Sequence, residues 1–205
     1  MALILDSEYL PAVLAAPVMS DQEFVEFCSD HPDLNFETSA DNDLLVSDFG
    51  PTEDGIRKSE LAFQLRQWAK KDGRGSVAES SAGFVLPNGA RRAPDASWTL
   101  RTRIQQLPQS KRKPFYHLCP DFVVELNSPS DRLRTLKAKM QEYMENGAQL
   151  GWLIDPENRS VTIYRPNQSP ETLTNIDSLT APEPLTGFTL DLAEVWNPLD
   201  RKSVV

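Results

Sequence analysis

The stretch that most constrains this chain is CPDFVVELNSPSD, Cys119 to Asp131. Phe122, Val123, Val124 and Leu126 are apolar at both strand phases, which predicts a short strand covered on both faces in the middle of a sheet. Glu125 sits inside that run, where a lone carboxylate is costly unless it is paired or binds a metal. The fold therefore has to give this glutamate a partner.

The flanking segments predict what surrounds that strand. Ser20 and Glu23 in MSDQEF are spaced as a capping box for a first helix with a Phe24, Phe27 and Cys28 stripe. NFETSADNDLLVSDFG predicts a hairpin around Asp41, Asn42 and Asp43. A second helix carries Leu61, Leu65 and Trp68 on one face and stops at Gly73. ESSAGFVLPNGARRAPDASWTL reads as two strands about the Asn88-Gly89 turn, the second running through Asp95. Ser130 and Asp131 are placed to cap a third helix with a Leu133, Leu136, Met140 and Tyr143 stripe, ended by Gly147. LGWLIDPENRSVTIYRP reads as a hairpin, and GFTLDLAEVWNP as a last strand and a short helix. The order implies an α/β or mixed α+β fold around one mixed sheet.

A net charge of −9 counts against a protein whose main task is coating nucleic acid. A local patch remains compatible with an enzyme that touches nucleic acid. RTRIQQLPQSKRK, Arg101 to Lys113, holds five basic residues and no acid, and reads as a solvated loop or a strand-guiding one. No apolar run approaches the ~20 residues of a membrane span. The first residues lack a basic n-region, and two cysteines suit a reducing compartment, so a cytoplasmic protein is expected.

Candidate chemistry centres on carboxylates. Asp121 and Glu125 share a strand face but lie ~13 Å apart, too far to share one ion. Asp95, on the preceding strand, can converge with Glu125 on one divalent cation if the two strands are neighbours. Glu60 on the second helix is a candidate third ligand. On the third helix, Lys137 and Lys139 border the apolar stripe from opposite sides, and geometry does not choose between them. Cys28-x-x-His31 and His117-x-Cys119 hold every Cys and His of the chain, at spacings that suit core cysteines and surface histidines better than zinc.

PDASW, PDFVVELNSPSD and LKAKMQEYMENGAQLGWLIDP together resemble the Uma-two family of endonucleases, within the PD-(D/E)xK phosphodiesterase superfamily. The resemblance extends over nearly the whole chain, to GFTLDLAEVW. It implies a single restriction-endonuclease-like domain over 1–205, a central mixed β-sheet flanked by helices, with 1–19 as an N-terminal arm. It also implies a Mg²⁺- or Mn²⁺-dependent endonuclease acting on DNA. Asp95 and Glu125 would then match the two motif acids and Glu60 the extra helix glutamate, the three holding the metal. Asn127 stands where the motif lysine is expected, and the K-x-x-x-Y match moves that lysine to Lys139. The alternative is an inactive nuclease fold that binds nucleic acid or protein. A homodimer clasped by Leu10, Val13 and Leu14 of the arm is expected for cutting both strands.

Overall fold

The computed structural model describes residues 10–47, 50–129 and 131–199. Ser20 accepts from the Glu23 N–H and the Glu23 carboxylate caps in return, opening α1 (Asp21–Ser29) after the short strand β1 (Ala12–Leu14). The predicted hairpin is β2 (Asn35–Thr38) and β3 (Leu44–Ser47), with Asn42 left-handed in its turn. The helix α2 (Thr52–Asp72) ends on Gly73 at φ 73°. Beyond it lie β4 (Gly75–Glu79), β5 (Phe84–Val85), β6 (Arg91–Arg92), β7 (Ala96–Leu100) and α3 (Arg101–Gln106). Next come β8 (Phe122–Leu126), α4 (Leu133–Glu145), β9 (Leu150–Asp155), β10 (Ser160–Tyr164) and β11 (Glu171–Thr174). The chain closes with β12 (Ser178–Thr180), β13 (Thr189–Asp191) and α5 (Ala193–Trp196).

Three sheets form among the described residues, where the sequence pattern suggested one. The central sheet has six strands in the order β11-β10-β9-β8-β7-β4, and β8 and β9, joined through α4, are its parallel pair. A second sheet orders β1-β3-β2-β6-β5, and β12 pairs with β13 alone. The segment after the Asn88-Gly89 turn does not run on as one strand. The chain leaves the second sheet at Arg92 and enters the central one at Ala96, with Asp95 at the crossing. Pro94 explains the break, because it has no N–H to donate to a ladder.

The strand β8 is buried at every position, as its composition requires. Phe122, Val124 and Leu126 join a core with α2, α5 and the Phe188 loop. Val123 faces the other way, into a core built by Leu136, Met140, Tyr143 and Met144 of α4. Glu125 shares the Val123 phase and so points toward α4. Gly151 lets that helix approach closely, since a Cβ there would meet Met140 Cε at 2.5 Å. The capping of α4 differs from expectation: Arg132 is its N-cap and Asp131 accepts from the Ser128 N–H, while Ser130 lies outside the described residues.

The basic segment is not a loose loop. Its first half is α3, Arg103 pairs with Asp121 at 2.8 Å, and Arg112 donates to the Gln105 and Leu107 carbonyls. It follows Leu100, at the end of β7 away from Asp95. The arm is also partly accounted for. β1 pairs with β3, and Leu10 and Leu14 pack on the third core around Phe24, leaving Val13 exposed; residues 1–9 lie outside the described range. No helix among the described residues is long and apolar enough to cross a membrane.

Two glycines test this packing. A Cβ on Gly75 would fall 2.2 Å from the Trp98 ring, which is fully buried and cannot yield cheaply. Gly75→Ala is expected to destabilise the fold by about 1–3 kcal/mol. Gly55, in the first turns of α2, has open space around it, and Gly55→Ala should stabilise by about 0.5–1 kcal/mol. Urea unfolding of the two variants reads both signs.

Candidate active site

Glu125 is partnered from the helix that returns over it. Its Oε1 accepts the Tyr143 hydroxyl at 2.9 Å and the Lys139 ammonium at 2.9 Å. Tyr143 and Lys139 are four apart on α4, so they share the face that covers β8. Lys139 also reaches Glu37 Oε1 of β2 at 2.9 Å. Glu37 in turn accepts the Ala93 N–H at 2.7 Å and pairs with Arg92, which bonds Glu142 of α4 at 2.6 Å. The result is a chain of alternating charge, Glu125, Lys139, Glu37, Arg92, Glu142, joining the two larger sheets through α4. It holds three carboxylates and two cations, so one negative charge is in surplus.

That surplus shows in the titration of the cluster. Burial is the largest influence on Glu125; against the pull of Lys139, and with repulsion from Asp95 and Glu37, its pKa is pushed up to about 7. Glu37 is also penalised by burial, but Lys139, Arg92 and the Ala93 N–H hold it below the ordinary glutamate value. Burial and the neighbouring carboxylates push Tyr143 well up, so it is a hydroxyl donor at any physiological pH.

Asp95 lies across the sheet from Glu125. The antiparallel register pairs Ala96 with Val124, and one step further sets Asp95 opposite Glu125. Asp95 Oδ2 accepts the Leu126 N–H at 2.7 Å, which fixes the carboxylate at the end of β8. Asp95 Oδ1 receives Lys58 of α2 at 2.9 Å. The start of α2 is anchored there because Ser128 donates to Asp54 Oδ2 at 2.6 Å and Arg57 pairs with Asp54 at 3.0 Å. Asp131 completes the rim, and burial, with Asp95 nearby, raises its pKa.

Of the residues expected from sequence, Asp95, Glu125 and Lys139 come together. Lys139 rather than Lys137 reaches Glu125, and Lys137 is exposed on the far side of α4. Glu60 does not join them. Its carboxylate accepts from Gln64 at 2.8 Å, and among the described residues no three acids, histidines or cysteines are grouped to hold a metal ion. Two residues on a helix are about 200° apart, so Lys58 takes the position that Glu60 was expected to fill. The Cys and His residues form no zinc site either: Cys119 is wholly buried, His117 bonds Asp21 at 2.6 Å and His31 bonds the Phe27 carbonyl. Glu37 and Lys58 were missed, since an isolated Glu in a hairpin strand and a Lys on a helix carry no motif. Tyr143 read only as an apolar stripe residue.

The donor set suits a hard cation. Asp95 and Glu125 offer carboxylate oxygens, and the Asn127 side-chain oxygen, two residues beyond Glu125, is buried without a hydrogen-bond partner. One or two carboxylates, with the remaining positions left to water and substrate oxygens, is the pattern of Mg²⁺ sites that act on phosphates.

A sequence comparison with curated proteins gives no match. Among solved structures, the chain is similar to one described as a putative nuclease belonging to DUF820 from Anabaena variabilis ATCC 29413, with a TM-score of 0.70 and 19% identity over 85% of this chain and 96% of that one. At that identity the likeness concerns the fold, a mixed sheet flanked by helices. The family model described as "Putative restriction endonuclease" matches residues 21–193, so the chain belongs to the Uma2 family.

Proposed function

We propose that this protein is a metal-dependent endonuclease that hydrolyses phosphodiester bonds of DNA. The observation that carries the reading is the position of Asp95, one residue before β7, opposite Glu125 of the neighbouring β8, in a buried cluster with one negative charge in surplus. Membership of the Uma2 family and a nuclease-like fold support it. Asp95 and Glu125 would hold Mg²⁺ or Mn²⁺. When bound, the cation would supply Lewis-acid polarisation of the scissile phosphate and activation of the attacking water.

The chain's own groups have separate tasks. The Leu126 N–H holds Asp95 in one rotamer, so a ligand oxygen stays at the sheet end. Tyr143 and Lys139 grip the same oxygen of Glu125, which orients that carboxylate before any ligand arrives. Lys139 also keeps positive charge beside the place where charge on phosphate would grow.

Cleavage of plasmid and linear DNA with Mg²⁺ or Mn²⁺ is the direct test. Activity should vanish with EDTA and with Asp95→Ala or Glu125→Ala. Purified protein that cuts nothing with any divalent ion would favour a binding module on an inactive nuclease fold. Lys139 departs from a simple catalytic lysine, because its side chain is only 13% exposed and lies between two acids. Lys139→Ala should lose cleavage and also cost about 3–5 kcal/mol of stability, by stranding Glu37 and Glu125. Lys137→Ala should stay within about 0.5 kcal/mol of the parent and keep its activity.

A pH dependence follows from Glu125. With its pKa at about 7, the metal-free protein carries a proton there at lower pH, and a cation must displace it. Mn²⁺ affinity is therefore expected to rise about tenfold per pH unit up to about 7 and to level off above it. In Glu125→Gln the slope through that range should disappear. Calorimetric titration across the range measures both.

A further inference from the structure

We propose that Lys58 is the exchangeable cation of this site: it neutralises Asp95 in the metal-free protein, and gives up that carboxylate to grip a phosphodiester oxygen of the substrate when the site is loaded. The inference rests on the proposed endonuclease reading and adds a substrate-binding residue to it.

Three observations separate Lys58 from Lys139. The first is attachment. Lys139 is gripped by Glu125 and Glu37 together, whereas the ion pair of Lys58 among the described residues is with Asp95 Oδ1 alone. The second is access. The Lys58 side chain is 35% exposed and that of Lys139 13% exposed, so Lys58 stands at the solvent rim and Lys139 beneath it.

The third is position. Lys58 bonds one oxygen of Asp95 while the other is committed to the Leu126 N–H. The oxygen open to exchange is therefore the one a cation would take. Lys58 sits about one turn from Asp54, whose bonds to Ser128 and Arg57 fix the start of α2 at the end of β8. The backbone is held while the side chain, with four rotatable methylenes, is free to change partner. Glu125 and Asp131 also attract Lys58 electrostatically, which keeps the ammonium within the cluster after Asp95 is occupied.

Calorimetric titration of the full chain with Mn²⁺ alone, comparing wild type with Lys58→Met, tests the exchange. Removing the competing ammonium should tighten Mn²⁺ binding about tenfold, the scale of one charge-assisted hydrogen bond to a carboxylate. Lys58→Gln should shift it in the same direction, and Lys58→Arg, which keeps the charge, should stay near wild type. Binding of a short DNA duplex in Ca²⁺ should weaken in Lys58→Met, and its salt slope should fall by about 0.9, one phosphate contact. Unchanged or weaker Mn²⁺ binding in both neutral variants, with wild type binding the metal, would overturn the role of Lys58 and leave the metal site standing. If neither wild type nor the variants bind Mn²⁺, the endonuclease reading falls together with it.

Discussion

A carboxylate inside an apolar strand is the constraint on which the rest of this structure depends. β8 is closed on both faces, so Glu125 cannot reach bulk water, and an unpaired charge there would cost several kcal/mol. The chain answers with a helix. α4 crosses from β8 to β9 and lays Lys139 and Tyr143 over the glutamate, while Gly151 and the thioether ends of Met140 and Met144 let the helix come near. Because Lys139 is itself buried, it needs Glu37, which needs Arg92, which needs Glu142. One carboxylate in a core strand thus propagates into an ion-pair chain that ties α4 to both larger sheets.

That chain does not close. A surplus negative charge remains, and repulsion from Asp95 and Glu37 adds to the burial that chiefly raises the pKa of Glu125. Structural ion networks gain most when charge and hydrogen bonding are fully matched, and a standing mismatch costs stability. Under the proposed function, this mismatch beside a second acid is where a divalent cation would bind, and Lys58 on Asp95 would be the temporary match that leaves when it does. On the proposed reading, the positive charge that an acidic protein needs to handle an acidic polymer would sit in the site itself, not across the surface. The basic segment at Arg101 to Lys113 is spent on internal bonds at the other end of β7.

How much of this was legible in the sequence follows from which features are local. The capping box of α1, the Gly73 stop and the two-faced apolar run of β8 are set by neighbours within a few residues, and each formed as read. Asp95 and Glu125 were legible as a pair because a strand phase and an adjacent strand suffice to bring them together. The division into separate sheets was not, since the switch at Pro94 changes partners without changing composition. Glu60 and Lys58 lie two residues apart, and periodicity alone could not say which would face Asp95 until the anchor between Asp54 and Ser128 fixed the rotation of α2. Glu37 was invisible because its partners are 55 and more residues away in sequence.

The most direct test of the account is anomalous scattering from crystals grown with Mn²⁺ near pH 8, where Glu125 is ionised. The account predicts a peak between Asp95 and Glu125, with Lys58 turned away from Asp95 and Lys139 still on Glu125 and Glu37. A map with no anomalous peak there, and with Lys58 still closed on Asp95, would contradict it and leave Glu125 as a purely structural ion pair.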